Sequence, residues 1–250
     1  MAEDSVRSVE RALSLLRCFD LNTEALTLTE LSEKLSLAPS TTLRLATVLT
    51  AQGFLQRSKV KTYSLGNAVY LLGAVAKSHF KLHNTVLPHM LALRDACKEA
   101  VTLYAMEGGY RVVYEHVESL RSMRCVVRVS DRFPLWAGAA GKCLLAYADA
   151  ETVEEEIAKV RPIAPGTILD PDRFRRELAE IRRNGGRAVS HGEREEGITS
   201  TAVPIFCAPD KIAFALTVSA PSSRVDSTGL RSIFELSIQA SRDIERLLRP

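Results

Sequence analysis

Residues 27–55 read TLTELSEKLSLAPSTTLRLATVLTAQGFL, and their punctuation decides the fold of the N-terminal part of the chain. Thr27 with Glu30 fits a capping box, in which each side chain satisfies a free backbone N–H at a helix start. Leu28, Leu31 and Leu35 then fall on one side of a short helix. A break follows at residues 36–39, and Pro39 suits the first turn of a second helix, where its missing N–H costs nothing. That helix runs to about residue 51, with Thr42, Leu45, Ala46 and Leu49 at inward spacing, until Gly53 stops it. Upstream, Val6, Val9, Leu13 and Leu16 stand at a spacing that describes one helix face. Downstream, FLQRSKVKTYSLG (54–66) reads as two short strands around a basic tip at 58–61.

Helix, turn, helix and basic hairpin, in that order, is the plan of a winged helix-turn-helix. Its second helix suits the DNA major groove, which is wide enough to admit it. The outward residues there are Ser40, Thr41, Leu43, Arg44 and Thr47. Arg44 can fork onto guanine O6 and N7, worth roughly 1–3 kcal/mol of discrimination, grip a phosphate, or serve a structural pair. Leu43 suits a thymine methyl if it faces out, or the core if the phase shifts by one. Arg57, Lys59 and Lys61 of the hairpin would lie along backbone phosphates, setting register without reading sequence. Charge supports this reading. The chain has a net charge of only +3, yet residues 35–93 contain no Asp or Glu. At the chain-wide acid frequency such a stretch would hold about seven, and the asymmetry is the footprint expected of a polyanion-facing surface, the alternative being chance clustering on a solvated helix.

The remainder alternates differently. Residues 67–82 are helical in pattern, apolar on one side, and form a candidate linker and dimer seam, with Pro88 imposing a first-turn or kink position beyond it. From about residue 100 strand-type segments appear: AVTLYAM, RVVYEHV and MRCVVRVS, later GRAVSH, ITSTAVPIF and KIAFALTVSA. Between them lie a helix of small residues, AGAAGKCLLAYA, and a helix started by Asp170 and Pro171 and ended by Gly185. An amphipathic helix from about Asp226 closes the chain. The expected fold class is α+β: a winged helix-turn-helix (1–66), a helical linker (67–82) and a larger domain (83–250).

The ordered set of motifs resembles the IclR family of bacterial transcriptional regulators. SVERALSLLRCF (8–19), the stretch quoted first and YSLG resemble its start, and Ser40, Thr41 and Arg44 match the Ser-Thr-x-x-Arg common in its recognition helix. VVRVSDRFPLWAGAAGKCLLAY (126–147), TILDPDRFRRELAEIRRNGG (167–186), EREEGITSTAVPIF (193–206) and TVSAPSSR (217–224) resemble its second half. The resemblance implies a GAF-like effector-binding domain, a palindromic operator read by a homodimer or dimer of dimers, and a small carboxylate effector, aromatic or aliphatic. It maps the family's pocket onto Cys125, Phe133, Ala139, Ala140, Ser200, Thr217 and Ser219. Trp136 stands where a His is common, and either stacks on an aromatic effector or packs in the core or against a partner subunit. Ser190-His191-Gly192-Glu193 replaces a segment usually rich in acids, which favours an anion. The residues allow an anion site independently, because the small side chains of GAAGK leave the N–H groups of a helix start sterically open.

Composition excludes several classes. An apolar content of 46% with 25% charged residues is that of a globular chain, and no run approaches the roughly 18 apolar residues of a membrane span. The first residues carry acids where a leader has bases, and five cysteines without a CxxC fit a reducing, cytoplasmic compartment. Cys125 and Cys207 read as small buried hydrophobes. WAGAAGKC lacks the Gly and the Ser or Thr of a phosphate-binding loop. His79 and His83 are four apart without a third metal ligand, so neither cofactor nor metal is expected. His116 and His191 near acids and cysteines leave a zinc or catalytic site untested. The rival class is a small-molecule sensor or enzyme whose N-terminal unit mediates protein contacts.

Overall fold

The computed structural model describes residues 6–20, 23–79 and 81–248, the side chains of 77–82 excepted. Residues 1–5, Phe80 and the side chain of His79, all read above, lie outside that description. The chain divides into two compact units, Met1–Phe80 and Lys81–Pro250.

The first unit comprises α1 (Arg7–Leu16), β1 (Leu26–Thr27), α2 (Leu28–Leu35), α3 (Pro39–Ala51), β2 (Leu55–Arg57), β3 (Thr62–Leu65) and α4 (Asn67–His79). The capping box is present: the Glu30 N–H donates to Thr27 Oγ1 at 3.3 Å, and the Thr27 N–H donates to Glu30 Oε2 at 2.7 Å. Pro39 opens α3 as expected. The two helices are joined through Ser36, which holds a left-handed backbone at φ 51°. The three strands pair antiparallel in the order β1-β3-β2. Leu15, Phe19, Leu26, Leu31, Ala46, Leu55 and Tyr63 form the core. The expected apolar face of α1 is not the buried one. Leu15 is buried and Leu16 packs partly buried against the core, while Val6, Val9 and Leu13 are exposed, so most of that stripe faces away from its own core.

The second unit begins with α5 (Lys81–Cys97), which carries Pro88 inside it, and continues with β4 (Ala100–Glu107), β5 (Tyr110–Val117) and β6 (Arg132–Pro134). Then come α6 (Ala139–Leu145), α7 (Ala150–Ala158), α8 (Pro171–Arg183), β7 (Ala188–His191), β8 (Ile198–Ala208), β9 (Lys211–Pro221) and α9 (Ser227–Leu248). The six strands form one antiparallel sheet in the order β6-β5-β4-β9-β8-β7. MRCVVRVS, read as a strand, is irregular backbone, and only the three residues of β6 pair with β5. Its apolar residues are largely unburied, Val126 and Val129 being exposed, so burial gives them no reason to extend the ladder.

Alternation assigns the two faces of the sheet. Val101, Leu103, Val203, Ile205, Leu216 and Val218 pack with Met90 of α5 and Ile244 of α9 on one side. Tyr104, Val113, Ala202 and Ala215 meet Ala140 and Cys143 of α6 and Phe174 and Leu178 of α8 on the other. The small residues of α6 let its backbone approach closely. A Cβ on Gly141 would stand 2.0 Å from the Leu135 carbonyl oxygen, so glycine is required there. The fold is α+β, with helices on both faces of a sheet, as the resemblance implies. Among the described residues no helix is long and apolar enough to cross a membrane.

Candidate DNA-reading surface and ligand cavity

On α3, Ser40, Leu43, Arg44 and Thr47 are exposed and Thr41 is partly exposed, while Thr42 and Ala46 are buried. The helix phase is therefore the one with Leu43 outward, at 41% exposure. The Thr47 hydroxyl donates to the Leu43 carbonyl at 2.8 Å, leaving its oxygen free to accept. Arg57, Lys59 and Lys61 are exposed on the hairpin, with the Arg57 guanidinium 5.6 Å from the Tyr63 ring centroid. Lys61 takes a left-handed backbone, φ 64°, which closes the tip. Between α1 and α3 runs a groove of about 730 Å³ with an apolar floor that includes Leu13, Leu45 and Val48, and Thr41 and Arg44 line it.

In the second unit, strand register brings hydroxyls together. Ser190 pairs with Ser200 and Ser200 with Ser219, giving a row across β7, β8 and β9 on the α6 face. Thr217 lies two residues along β9 on the same face. All four line a cavity of about 20 Å³, together with Tyr104, Arg111, Gly138, Glu193, Arg194, Glu195 and Ile198. The Thr217 hydroxyl is buried and has no hydrogen-bond partner among the described residues. Buried polar groups normally have one, so an orphan on a residue that lines a cavity is a candidate contact for a polar ligand.

Of the residues that the resemblance mapped, Ser200, Thr217 and Ser219 line this cavity. Phe133 borders it through Arg194, whose guanidinium sits 4.5 Å from the ring centroid. Ala139 and Ala140 are buried in α6, next to the lining Gly138. Trp136 is 4% exposed within the cluster that α6 and α8 form, and does not line the cavity. Nor does Cys125, a partly exposed thiol that burial pushes up to about 11. Cys207, expected to be buried, is exposed near the end of β8. The helix start expected to be open to an anion is occupied: the Gly138 N–H donates to Glu193 Oε2 at 3.0 Å. Glu193 also binds Lys142, which is wholly buried, contacts Glu177 and donates to the Val189 carbonyl at 2.8 Å. Acids are therefore present at the cavity, but Glu193 already has its cation.

Sequence reasoning missed Tyr104, Arg111, Glu193 and Arg194. Arg111 is 4% exposed, with its guanidinium 5.0 Å from the Tyr104 ring centroid and 5.1 Å from that of Phe133. Burial pushes it down to about 10; Arg194 adds to the fall, while Tyr104 and Glu193 oppose it. A single Arg near the start of an apolar strand reads as a surface residue, and only its pairing with Phe133 across β5 and β6 turns it inward. A lysine among the small residues of α6 was the available signal for a buried acid, though not for which one. A larger groove of about 1350 Å³ runs along α8, lined by Arg173, Arg176, Arg183 and Arg187, and holds none of the mapped residues. Elsewhere His116 Nδ1 is 2.9 Å from Thr102 Oγ1 and His191 Nδ1 is 3.2 Å from Thr199 Oγ1. Among the described residues no cluster of three His, Cys, Asp or Glu is placed to hold a metal.

Comparison with known proteins matches residues 8–59 to the IclR helix-turn-helix domain and residues 74–246 to the bacterial transcriptional regulator IclR C-terminal domain. The HTH-type transcriptional regulator KipR of Bacillus subtilis is 27% identical over 242 residues, 96% of each chain. A crystal structure assigned to an IclR transcriptional regulator from Silicibacter sp. TM1040 superposes with a TM-score of 0.89 at 26% identity, covering 97% of both chains. That of an IclR homolog from Microbacterium hydrocarbonoxydans, complexed with 4-hydroxybenzoate, gives 0.77 at 27% identity, covering 96% of this chain and 98% of that one. With both halves matched in order by the two domains of one group of regulators, none of them an enzyme, the chain belongs to the IclR family of bacterial transcriptional regulators, which bind DNA and answer to a small-molecule effector.

Proposed function

We propose that the chain is a cytoplasmic, ligand-responsive regulator of a catabolic operon, which senses a small carboxylate and reads a roughly palindromic operator as a homodimer or dimer of dimers. The observation that carries the effector reading is the cavity wall, where the hydroxyls of Ser190, Ser200 and Ser219 stand in one row beside the unpartnered hydroxyl of Thr217. Hydroxyls can donate to a carboxylate. The 4-hydroxybenzoate bound by the Microbacterium homolog is a ligand of the same chemistry. On the DNA side, the exposure of Ser40, Thr41, Leu43, Arg44 and Thr47 on one helix, with Arg57, Lys59 and Lys61 on the adjoining hairpin, supports base reading by the first set and phosphate contact by the second.

A ligand shifts such a regulator only if it binds one arrangement more tightly than another, a coupling of about 1–3 kcal/mol in typical cases. The test is a gel-shift titration on DNA flanking the chain's own coding region, with and without small carboxylates. We expect specific retardation whose affinity changes about 5–150-fold with an active carboxylate, the range that such coupling produces. Arg44→Ala should reduce binding to that DNA towards the level of unrelated DNA. No retardation of any such fragment would remove the assignment, and full preference retained by Arg44→Ala would remove Arg44 from base reading.

A further inference from the structure

Two cations, Arg111 and Arg194, line the cavity and a third, Lys142, binds its lining residue Glu193; their partners differ. Lys142 is held by Glu193 and Glu177. Arg194 is partly exposed and pairs with Glu195 at 3.2 Å. Arg111 has no such partner. Among the described residues its Nε donates to the Pro134 carbonyl at 3.3 Å, and no carboxylate lies within ion-pairing distance of it. Around the terminal nitrogens stand the faces of Tyr104 and Phe133 and the bare Cα of Gly138, where a Cβ would come within 3.2 Å of Nη2. A charge this buried is ordinarily paired, because leaving it without a counter-ion is costly. Among the described residues the one buried polar side-chain atom without a hydrogen-bond partner on a residue lining this cavity is Thr217 Oγ1, on a residue 2% exposed.

One ligand group answers both. A carboxylate accepts two parallel N–H bonds from a guanidinium fork and a further bond from a hydroxyl. We propose that Arg111 is the charge-pairing residue of the ligand site, taking the carboxylate of a small organic monoanion in a forked pair while the Thr217 hydroxyl donates to the same ligand. This rests on the carboxylate-sensing reading above and relocates its anion contact, since the start of α6 is filled by Glu193. Among the described residues Arg111 makes no ion pair of its own, and a monoanion supplies the single carboxylate that its fork lacks. A second carboxylate would meet Glu193 and Glu195, which line the same cavity. The existing space admits about one water, so the ligand must displace a lining group. Arg194 is the lining cation with an outward route, and moving it would bare the Phe133 ring face it now covers.

The test uses the full chain without DNA. Trp136 is the only tryptophan and lies in the second unit beside Gly138, so its fluorescence reports ligand binding and unfolding of that unit. The probes are acetate, pyruvate, benzoate and 4-hydroxybenzoate, each against its neutral amide, with succinate as the dianion. We expect at least one monocarboxylate to raise the unfolding temperature, its amide and succinate to leave it unchanged, and Arg111→Met to weaken that acid at least about 30-fold. Arg111→Lys, which keeps the charge but not the fork, should fall between. Without ligand, Arg111→Met should unfold no lower than the wild type, because an unpaired buried charge has been replaced by an apolar side chain. An acid bound equally well by Arg111→Met, or an Arg111→Met protein that unfolds several degrees lower without ligand, would overturn the role of Arg111 and leave the carboxylate reading standing. Failure of every acid to act on the wild type would remove both readings.

Discussion

Lys142 and Glu193 illustrate how much of the second unit rests on single side chains. Replacing Lys142 by Met leaves Glu193, 5% exposed, without its cation and should cost about 3–5 kcal/mol in denaturant unfolding. Adding Glu193→Gln should recover part of that loss, a coupling that identifies the buried pair rather than general packing as the cause. His116 gives the pH dependence. Burial lowers its pKa from the ordinary 6.5, while Glu118, Glu115 and Asp131 oppose the shift. The unfolded chain therefore takes up this proton first as pH falls. Stability from neutral His116 is present above about pH 6.5 and is lost on acidification below it. Unfolding free energy measured from pH 7 to pH 5 should decline, and His116→Gln should flatten the decline. The capping carboxylates Glu30, Asp149 and Asp170, held below their ordinary values chiefly by backbone N–H groups, weaken only nearer pH 4, outside this window. At this scale the sequence revealed hydroxyls more readily than charges. Ser200, Thr217 and Ser219 could be mapped by motif position, but Arg111 becomes a site residue only through a cross-strand pair 22 positions away, Arg111 with Phe133. No local pattern encodes such a pairing.

Elements with chemical punctuation were legible, and those defined by partners were not. The capping box at Thr27 and the Asp170-Pro171 start are local events, satisfied within three residues, so their helices could be placed to within a residue or two. Thr27→Ala should cost about 1 kcal/mol of the stability of the first unit, because the Glu30 N–H at the start of α2 loses its acceptor, the Thr27 hydroxyl. Thermal unfolding should show that loss, while relative affinity for operator over unrelated DNA stays the same, since Thr27 is not on α3. A change in that preference would mean that α2 also takes part in reading. By contrast, the strand expected at MRCVVRVS failed because runs of Val and Arg satisfy a strand's propensity without supplying a neighbour. The start of α6 failed for a related reason: GAAGK is sterically open, but an acid 55 residues away along the chain fills the opening. The apolar stripe on α1 was legible as a helix face but not as an exposed one, because periodicity shows that a side is apolar and not what covers it.

For the whole molecule that distinction becomes a question of assembly. A palindromic operator requires two reading helices related by a two-fold axis, and so at least two copies of the chain. The first unit presents exposed apolar side chains suited to self-association: Tyr70, Leu71 and Leu72 on α4 are 77%, 61% and 55% exposed. An exposed apolar patch of this kind commonly marks a contact surface. If α4 is the seam, Leu71→Asp combined with Leu72→Asp should lower the oligomeric state in sedimentation while each unit stays folded by circular dichroism. DNA binding then gives a second, independent reading. Each copy would contribute its own Arg57, Lys59 and Lys61, so a protein that binds as single copies would neutralise about half as many phosphates. The slope of log affinity against log salt, about −0.9 per phosphate contact, should then fall to about half. A double variant that sediments like the wild type with an unchanged salt slope would place the two-fold contact elsewhere. A variant that falls apart yet keeps the full slope would mean that one copy alone makes all the phosphate contacts, and the palindromic reading would be lost.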